Sequence, residues 1–252
     1  MEAGCPPHGY VPCPWSNILR YASSAPYYRR KNKNRACGLI QIKDIRRALG
    51  LDILMAQMFP ASAMPNPDWW EALWPDPERT VASLGIASGM RVVDLCCGDG
   101  LFTLPIARLA AEVVAIDLDS EMLKRVRARL DAAGISNCRV VEGDAYRVAE
   151  LSFGAADMVV MANTFHGVPD KARLCQGVTS ALKPGGQFVV VNWHRRPREE
   201  TTVLGRPRGP QVELRMTPND VAAAVEPAGF IRAGVIELPP YHYGAIFQKP
   251  PA

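Results

Sequence analysis

From Met64 to the C-terminus, short apolar runs alternate regularly with segments of helical periodicity. Strands that alternate with helices at this spacing are typical of parallel sheets joined by right-handed crossovers. Only Leu238-Pro239-Pro240-Tyr241 separates the last two apolar runs, and so short a link predicts an antiparallel hairpin. The sequence therefore predicts an α/β fold whose doubly wound sheet is mostly parallel and ends in a C-terminal antiparallel hairpin. The seven predicted strands lie at 91–95, 112–116, 138–142, 157–161, 187–193, 230–236 and 242–248.

The predicted helices lie between these strands. In the segment 120–133, Ser120 is expected to cap the start, an apolar stripe includes Leu123, Val126 and Leu130, and Gly134 ends the helix. A short helical lead-in rich in tryptophan precedes the first strand. The remaining predicted helices lie at 101–110, 145–151, 170–182 and 217–227.

Residues 1–63 differ from the rest of the chain. The first sixty residues carry nine Lys and Arg against three acidic residues, so the net charge of +4 of the whole chain belongs to this end. They contain Pro and Cys without a sustained helical or strand period, which predicts a poorly ordered basic tail over 1–63 and a domain over 64–252. The tail is either an arm that binds nucleic acid or another partner, or a plain appendage upstream of a natural start at Met64; the second interpretation is favoured.

Composition also bears on partners and location. The body is nearly neutral, so nucleic acid is not the expected partner. No window approaches the roughly 18 uninterrupted apolar residues of a membrane span, and the start lacks a secretory pattern. The seven cysteines show no metal-ligand spacing. We expect a soluble, cytoplasmic protein without a membrane partner or a metal.

The strongest local signal is the run from Val92 to Thr103, which predicts a strand, a glycine-containing turn and a helix. Gly98 and Gly100 allow the backbone to approach a ligand, and the helix offers free amides. The Gly-Lys-Ser/Thr ending of a phosphate-binding loop is absent, and Thr103 stands where a dinucleotide loop has its third glycine. The pattern therefore points away from a di- or triphosphate ligand.

Two acidic residues follow the next two predicted strands. Asp117 ends the second strand and Asp144 follows the third. Either residue alone is explained by a helix N-cap. Because the carboxyl ends of parallel strands meet at one edge of a sheet, these residues and Asp94 together predict a crevice that binds a nucleoside.

The sequence at this edge resembles the class I S-adenosylmethionine-dependent methyltransferases, in particular the small-molecule group that includes the ubiquinone and menaquinone C-methyltransferases. The family loop Asp-x-Gly-x-Gly-x-Gly corresponds to residues 94–100, with Cys96 in place of the first glycine. The runs 157–163 and 182–191, the second with its Pro-Gly-Gly turn, resemble the family's fourth strand and its turn into the fifth. The likeness covers about residues 76–248 and implies a Rossmann-like, seven-stranded sheet.

The resemblance also implies that S-adenosylmethionine is the cofactor. It assigns Asp117 to the ribose hydroxyls, Leu118 to the adenine face, and Asp144 with Ala145 to the adenine edge. The other expected cofactor-binding residues are Asp94, Cys96, Gly98, Gly100 and Asn163.

Methyl transfer from a sulfonium is an in-line displacement, so the protein mainly aligns the reactants and excludes water. His166, just past the fourth strand, is the candidate catalytic base, with a structural histidine as the alternative. The long loop 195–210 is either an arginine clamp for an anionic acceptor or a solvated charge run. The expected acceptor-binding residues are Phe165, His166, His194 and Arg195.

The same positions narrow the acceptor. Nucleic-acid amino-methyltransferases carry Asp/Asn-Pro-Pro-aromatic where this chain has Asn163-Thr164-Phe165-His166. Metal-dependent catechol-type enzymes use carboxylates where Asn163 and Asn192 stand. We therefore expect metal-independent methylation of a small molecule. The alternatives are an aminopropyl transferase and a non-catalytic or nucleic-acid-associated module that binds S-adenosylmethionine.

Overall fold

The computed structural model describes residues 65–152 and 154–252, so the tail predicted for 1–63 lies outside the described residues. No helix in the described part is both long and apolar enough to cross a membrane. The α-helices of this part are α1 (Pro67–Leu73), α2 (Pro77–Ser83), α3 (Thr103–Leu109), α4 (Ser120–Ala132), α5 (Val148–Leu151), α6 (Lys171–Ala181) and α7 (Pro218–Val225). Its strands are β1 (Arg91–Leu95), β2 (Glu112–Asp117), β3 (Cys138–Glu142), β4 (Ala156–Ala162), β5 (Leu182–Trp193), β6 (Thr202–Val203), β7 (Arg206–Pro207), β8 (Ile231–Leu238) and β9 (His242–Gln248).

Seven of these strands form one sheet in the order β3-β2-β1-β4-β5-β9-β8. The first five run parallel, and β9 lies antiparallel between β5 and β8. The predicted seven-stranded, mostly parallel sheet with a C-terminal antiparallel hairpin is thus confirmed. The order reverses between β1 and β4, which is where open α/β sheets bind ligands.

Both faces of the sheet are buried. Alternate residues of each strand point to opposite sides, so they divide between two apolar clusters. Val93 and Val114 belong to one apolar cluster, while Val92 and Val113 belong to the other. Helices α5, α6 and α7 cover the first face, and α1 to α4 cover the second. This two-sided cover is the doubly wound arrangement that the alternation of apolar runs predicts.

Most predicted element bounds hold within a few residues, and two local features differ. Strand β5 begins at Leu182 rather than 187, with Gly185 in a left-handed conformation inside it (φ 78°). We predicted that Ser120 caps helix α4, but the cap is Asp119. The extended backbone of Asp119 lets its carboxylate accept from the amides of Glu121 and Met122.

Gly100 illustrates how closely the loop after β1 packs against α4. A Cβ atom on Gly100 would lie 3.1 Å from Cγ2 and 3.3 Å from Cα of Val126, and its φ is +85°. Gly134 also has a positive φ (+67°), but no atom lies within 4 Å of the point where its Cβ would stand.

We predict that Gly134→Ala lowers the free energy of unfolding by about 1–2 kcal/mol, the cost of a left-handed alanine. Gly100→Ala should cost about 2–5 kcal/mol, because overpacking against Val126 adds to that strain. Urea unfolding of both variants checks this. Equal losses would show that the contact with Val126 is not tight.

Candidate active site

A cavity of about 310 Å³ lies where β1, β4 and β5 end. Its lining residues come from four parts of the chain that are distant in sequence. They are Pro65, Trp69 and Trp70 at α1; Asp94, Cys96, Cys97, Gly98, Asp99, Leu101 and Phe102 at the end of β1 and after it; Ala162, Asn163, Thr164 and His166 at the end of β4 and after it; and Trp193, Arg198, Arg208, Gly209 and Pro210 at the end of β5 and after it.

The loop after β1 has an unusual backbone. Cys96 adopts a left-handed conformation (φ 61°), which residues other than glycine seldom adopt, and Gly98 is also left-handed (φ 54°). The loop is tied to β2, since the Cys97 amide donates to the Ile116 carbonyl at 3.1 Å and the Gly98 amide donates to Asp117 at 2.8 Å. The cysteine in place of the family's first glycine therefore keeps the glycine-type backbone.

Asp94 is a buried acid on the cavity wall, with 2% of its surface exposed. The Thr103 hydroxyl donates to its Oδ2 at 2.6 Å. Burial raises the pKa of Asp94 to about 7, the Thr103 bond opposes the rise, and the charge of Asp117 adds to it. Such a carboxyl gains strongly from a cation placed beside it.

Asp117 and Asp144 lie along the same edge, at the ends of β2 and β3. Asp117 accepts the amides of Gly98 at 2.8 Å and Asp119 at 2.9 Å, one on each oxygen. Asp144 accepts the Tyr146 amide at 2.9 Å. Each carboxylate keeps lone pairs for a ligand. Asp117, Leu118, Asp144 and Ala145 do not line the cavity itself, but they lie at or just after the ends of β2 and β3, which pair along the same edge; Gly100 does not line it either.

Asn163 has unsatisfied polar atoms beside the cavity. Its backbone is left-handed (φ 60°), and neither its side-chain oxygen nor its side-chain nitrogen has a partner among the described residues, although both atoms are buried. Buried amides nearly always form hydrogen bonds. A ligand in the cavity is the natural partner for this one.

His166 is held by a second buried amide. Its Nδ1 lies 3.1 Å from Oδ1 of Asn192, a fully buried residue of β5. Since an amide oxygen only accepts, Nδ1 carries the proton and Nε2 is left with a lone pair. Burial lowers the pKa of His166, and the bond to Asn192 opposes that effect. The imidazole is therefore neutral at neutral pH and able to accept a proton.

The other expected acceptor-binding residues are not among the cavity's lining. Phe165 is fully buried in the core and packs edge-on against Phe188. His194 pairs with Glu237 of β8 at 2.9 Å. Arg195 is half-exposed and lies 3.8 Å from Asp220.

The cavity is lined instead by residues that the sequence analysis did not single out. Trp69 and Trp70 belong to the tryptophan-rich lead-in, for which we predicted only a helix. Arg198 and Arg208 belong to the predicted arginine loop, and they line the cavity in place of Arg195. The clusters of tryptophans and arginines can be recognised in the sequence, but the sequence does not show which of these side chains face the cavity.

Comparison with known proteins agrees with this geometry. A family model described as a methyltransferase domain matches residues 92–186. The ubiquinone biosynthesis O-methyltransferase of Xanthomonas axonopodis pv. citri is 33% identical in an alignment 138 residues long, which covers 51% of this chain and 57% of that protein. The enzyme of the same name from Xanthomonas oryzae pv. oryzae is 32% identical over 142 residues, with the same coverage. The match thus spans little more than half the length of these relatives.

Solved structures show the same fold. A SAM-dependent methyltransferase from Aquifex aeolicus superposes with a TM-score of 0.62 at 23% identity, covering 73% of this chain and 94% of that one. An S-adenosylmethionine-dependent methyltransferase from Mesorhizobium loti gives a TM-score of 0.54 at 24% identity, covering 70% and 97%.

Residues 92–186 thus match a methyltransferase domain, and the chain shares its fold with SAM-dependent methyltransferases. The predicted resemblance is thereby confirmed, although the relatives quoted above are named O-methyltransferases rather than C-methyltransferases. The family match ends at residue 186. The lining residues Trp69, Trp193, Arg198 and Arg208 all lie outside the matched segment.

We predict that the ring protons of His166 titrate with a pKa below the ordinary 6.5, because burial disfavours the imidazolium. The unfolded chain then takes up this proton first, so the contribution of His166 to stability is lost as the pH falls below 6.5 towards the native pKa. NMR titration checks the value, with His166→Gln assigning the resonance. A pKa at or above 6.5 would contradict the burial argument.

Proposed function

We propose that this protein transfers a methyl group from S-adenosylmethionine to a small-molecule acceptor without the help of a metal ion. The observation that carries the proposal is the cavity at the reversal of strand order, where Asp94, the unpartnered Asn163 amide and neutral His166 meet. The matched methyltransferase domain and the names of the relatives support it.

Residues along the edge of the sheet would bind each part of S-adenosylmethionine, the methyl donor. Asp94 and Asn163 would hold the charged amino-acid end, since one offers a buried acid and the other an unsatisfied amide. Asp117 would accept the ribose hydroxyls with the lone pairs that Gly98 and Asp119 leave free. Leu118, Asp144 and Ala145 would contact the adenine. When bound, this cofactor supplies a methyl group already activated on a sulfonium.

The chain's own residues then have two tasks. His166 accepts the acceptor's proton on Nε2, while Asn192 keeps Nδ1 protonated and the ring oriented. The tryptophans of the wall exclude water and limit the acceptor's orientation. We assign no metal, because Asn163 and Asn192, rather than carboxylates, stand at the ends of β4 and β5.

The remaining parts of the proposal concern the whole chain. We assign catalysis to the domain 64–252 and treat the basic tail 1–63 as an appendage. Free thiols at Cys96, Cys97, Cys138 and Cys175 support a cytoplasmic location. The relatives give no support to an aminopropyl transferase or a non-catalytic module.

For donor binding, we predict that Asp117→Ala weakens the affinity for S-adenosylmethionine by about 1.5–3 kcal/mol, the usual contribution of hydrogen bonds to a charged group. Asp131→Ala, the same substitution on the exposed end of α4, should leave the affinity unchanged. Isothermal titration calorimetry of the full chain checks both. Equal affinities of the two variants would contradict the assignment of Asp117.

For methyl transfer, we predict that label from methyl-labelled S-adenosylmethionine enters a small molecule of a metabolite extract in the presence of this protein. With the acceptor identified, His166→Gln should lower kcat by about 10²–10⁴-fold, the range of general-base catalysis, with donor affinity unchanged. Chromatography of the labelled product and calorimetry supply the two readouts. Full kcat in His166→Gln would remove His166 from the reaction, and label confined to nucleic acid would refute the small-molecule acceptor.

A further inference from the structure

We propose that the methyl acceptor is a planar aromatic molecule carrying an oxyanion, a carboxylate or phosphate group, which Arg198 and Arg208 bind together. This inference rests on the proposed function, because it assigns a substrate class to the same cavity. It draws on two guanidinium groups that the methyltransferase chemistry described above does not use.

Arg198 and Arg208 both line the cavity, and the Nε atom of each is buried without a hydrogen-bond partner. No carboxylate of residues 65–152 or 154–252 forms an ion pair with either side chain. Both arginines are half-buried, and removing a donor such as Nε from water without giving it a partner is costly. Two such groups on one cavity wall indicate that their partner is a ligand.

The acids of the cavity do not fill this role. Asp99 pairs with Arg129 at 3.0 Å, and Asp94 is bound by the Thr103 hydroxyl at 2.6 Å. Asp94 lies in β1 and Asp99 in the loop after it, whereas the two arginines come from the loop after β5. The cavity thus joins one acidic segment, suited to a cationic donor, to one basic segment, suited to an anionic acceptor.

The arginine loop is held in place before any ligand arrives. Buried Arg215 donates to the carbonyls of Pro210, Arg196 and Arg208 and to the Thr201 hydroxyl, at 2.9–3.1 Å. The Thr201 hydroxyl in turn shares its one proton between the carbonyls of Arg198 at 3.0 Å and Arg208 at 2.9 Å. One hydroxyl therefore fixes the backbone of both arginines, and a preorganised pair loses little entropy on binding.

Aromatic side chains surround these charges. The Arg208 guanidinium lies 5.1 Å from the centre of the Trp69 ring, a cation–π contact. Trp70, Phe102 and Trp193 also line the cavity. Planar guanidinium groups bind carboxylate or phosphate oxygens through paired hydrogen bonds, and a flat aromatic body fits between indole walls. The two arginines and the aromatic walls therefore favour an acceptor that is both aromatic and an oxyanion.

The test uses the full chain with S-adenosylhomocysteine and follows tryptophan fluorescence during titration with 1-naphthoate, 1-naphthyl phosphate or neutral 1-naphthamide. We expect at least one anion to bind about tenfold more tightly than the amide, the usual effect of a charge-assisted bond. The tighter of the two anions identifies the carboxylate or phosphate class. Equal binding of all three probes, or no binding of either anion at millimolar concentration, would overturn the proposal.

Variants place the effect on the two arginines. Arg198→Gln and Arg208→Gln should each weaken anion binding about tenfold and leave 1-naphthamide unchanged. Arg206→Gln, an exposed arginine of the same loop, should leave anion binding as in the wild type. Arg198→Lys keeps the charge but loses Nε, so its affinity for the anion should fall between that of the wild type and that of Arg198→Gln. Unchanged circular-dichroism melting excludes misfolding, and anion affinity unchanged in all the arginine variants would refute the site.

This outcome can be separated from that of the proposed function. If naphthoate binds through Arg198 and Arg208 but no methyl acceptor is ever labelled, the anion site stands and the methyltransferase proposal fails. If label enters only neutral acceptors, and Arg198→Gln transfers it at the wild-type rate, the substrate class proposed here fails and methyl transfer stands.

Discussion

Because helices cover both faces of the central sheet, most side chains of its central strands are buried in the core, and the ends of these strands are left to meet a ligand. The parallel strands all end at one edge, and the reversal between β1 and β4 opens a crevice there. Asp94 and Asn163 reach the cavity because each stands where one of these two strands gives way to a loop. The position of the site is thus a consequence of how the core is buried.

The same edge concentrates strained backbone. Cys96 and Asn163 are both left-handed without being glycine, and both line the cavity. Such residues cost free energy and persist only where surrounding bonds hold them. The backbone N–H of Asn163 donates to the Val191 carbonyl at 2.8 Å, and the backbone N–H of Cys97, the residue after Cys96, donates to the Ile116 carbonyl. Neighbouring strands therefore enforce the conformations that turn these loops towards the cavity.

The sequence predicted the sheet and the loop after β1 because both are encoded locally, in apolar runs and in residues 94–100. It could not predict which loop side chains turn inwards. Phe165 and His166 are adjacent in one short 3₁₀ turn, yet the first enters the core and the second faces the cavity. His194 is paired by Glu237, 43 residues away, through the pairing of β9 with its two neighbours. These outcomes depend on contacts between distant segments.

Charge explains why the two sides of the cavity differ. The pKa of Asp94 rises from 3.8 to about 7 mainly because the folded protein buries the carboxyl. The native state then holds a proton that the unfolded chain has already released, so the contribution of Asp94 to stability falls as the pH rises from 3.8 to about 7. A positively charged donor group would reverse this effect by favouring the ionised acid. An oxyanion at Arg198 and Arg208 would likewise give their buried Nε donors a partner, so each segment would be stabilised by the reactant of opposite sign.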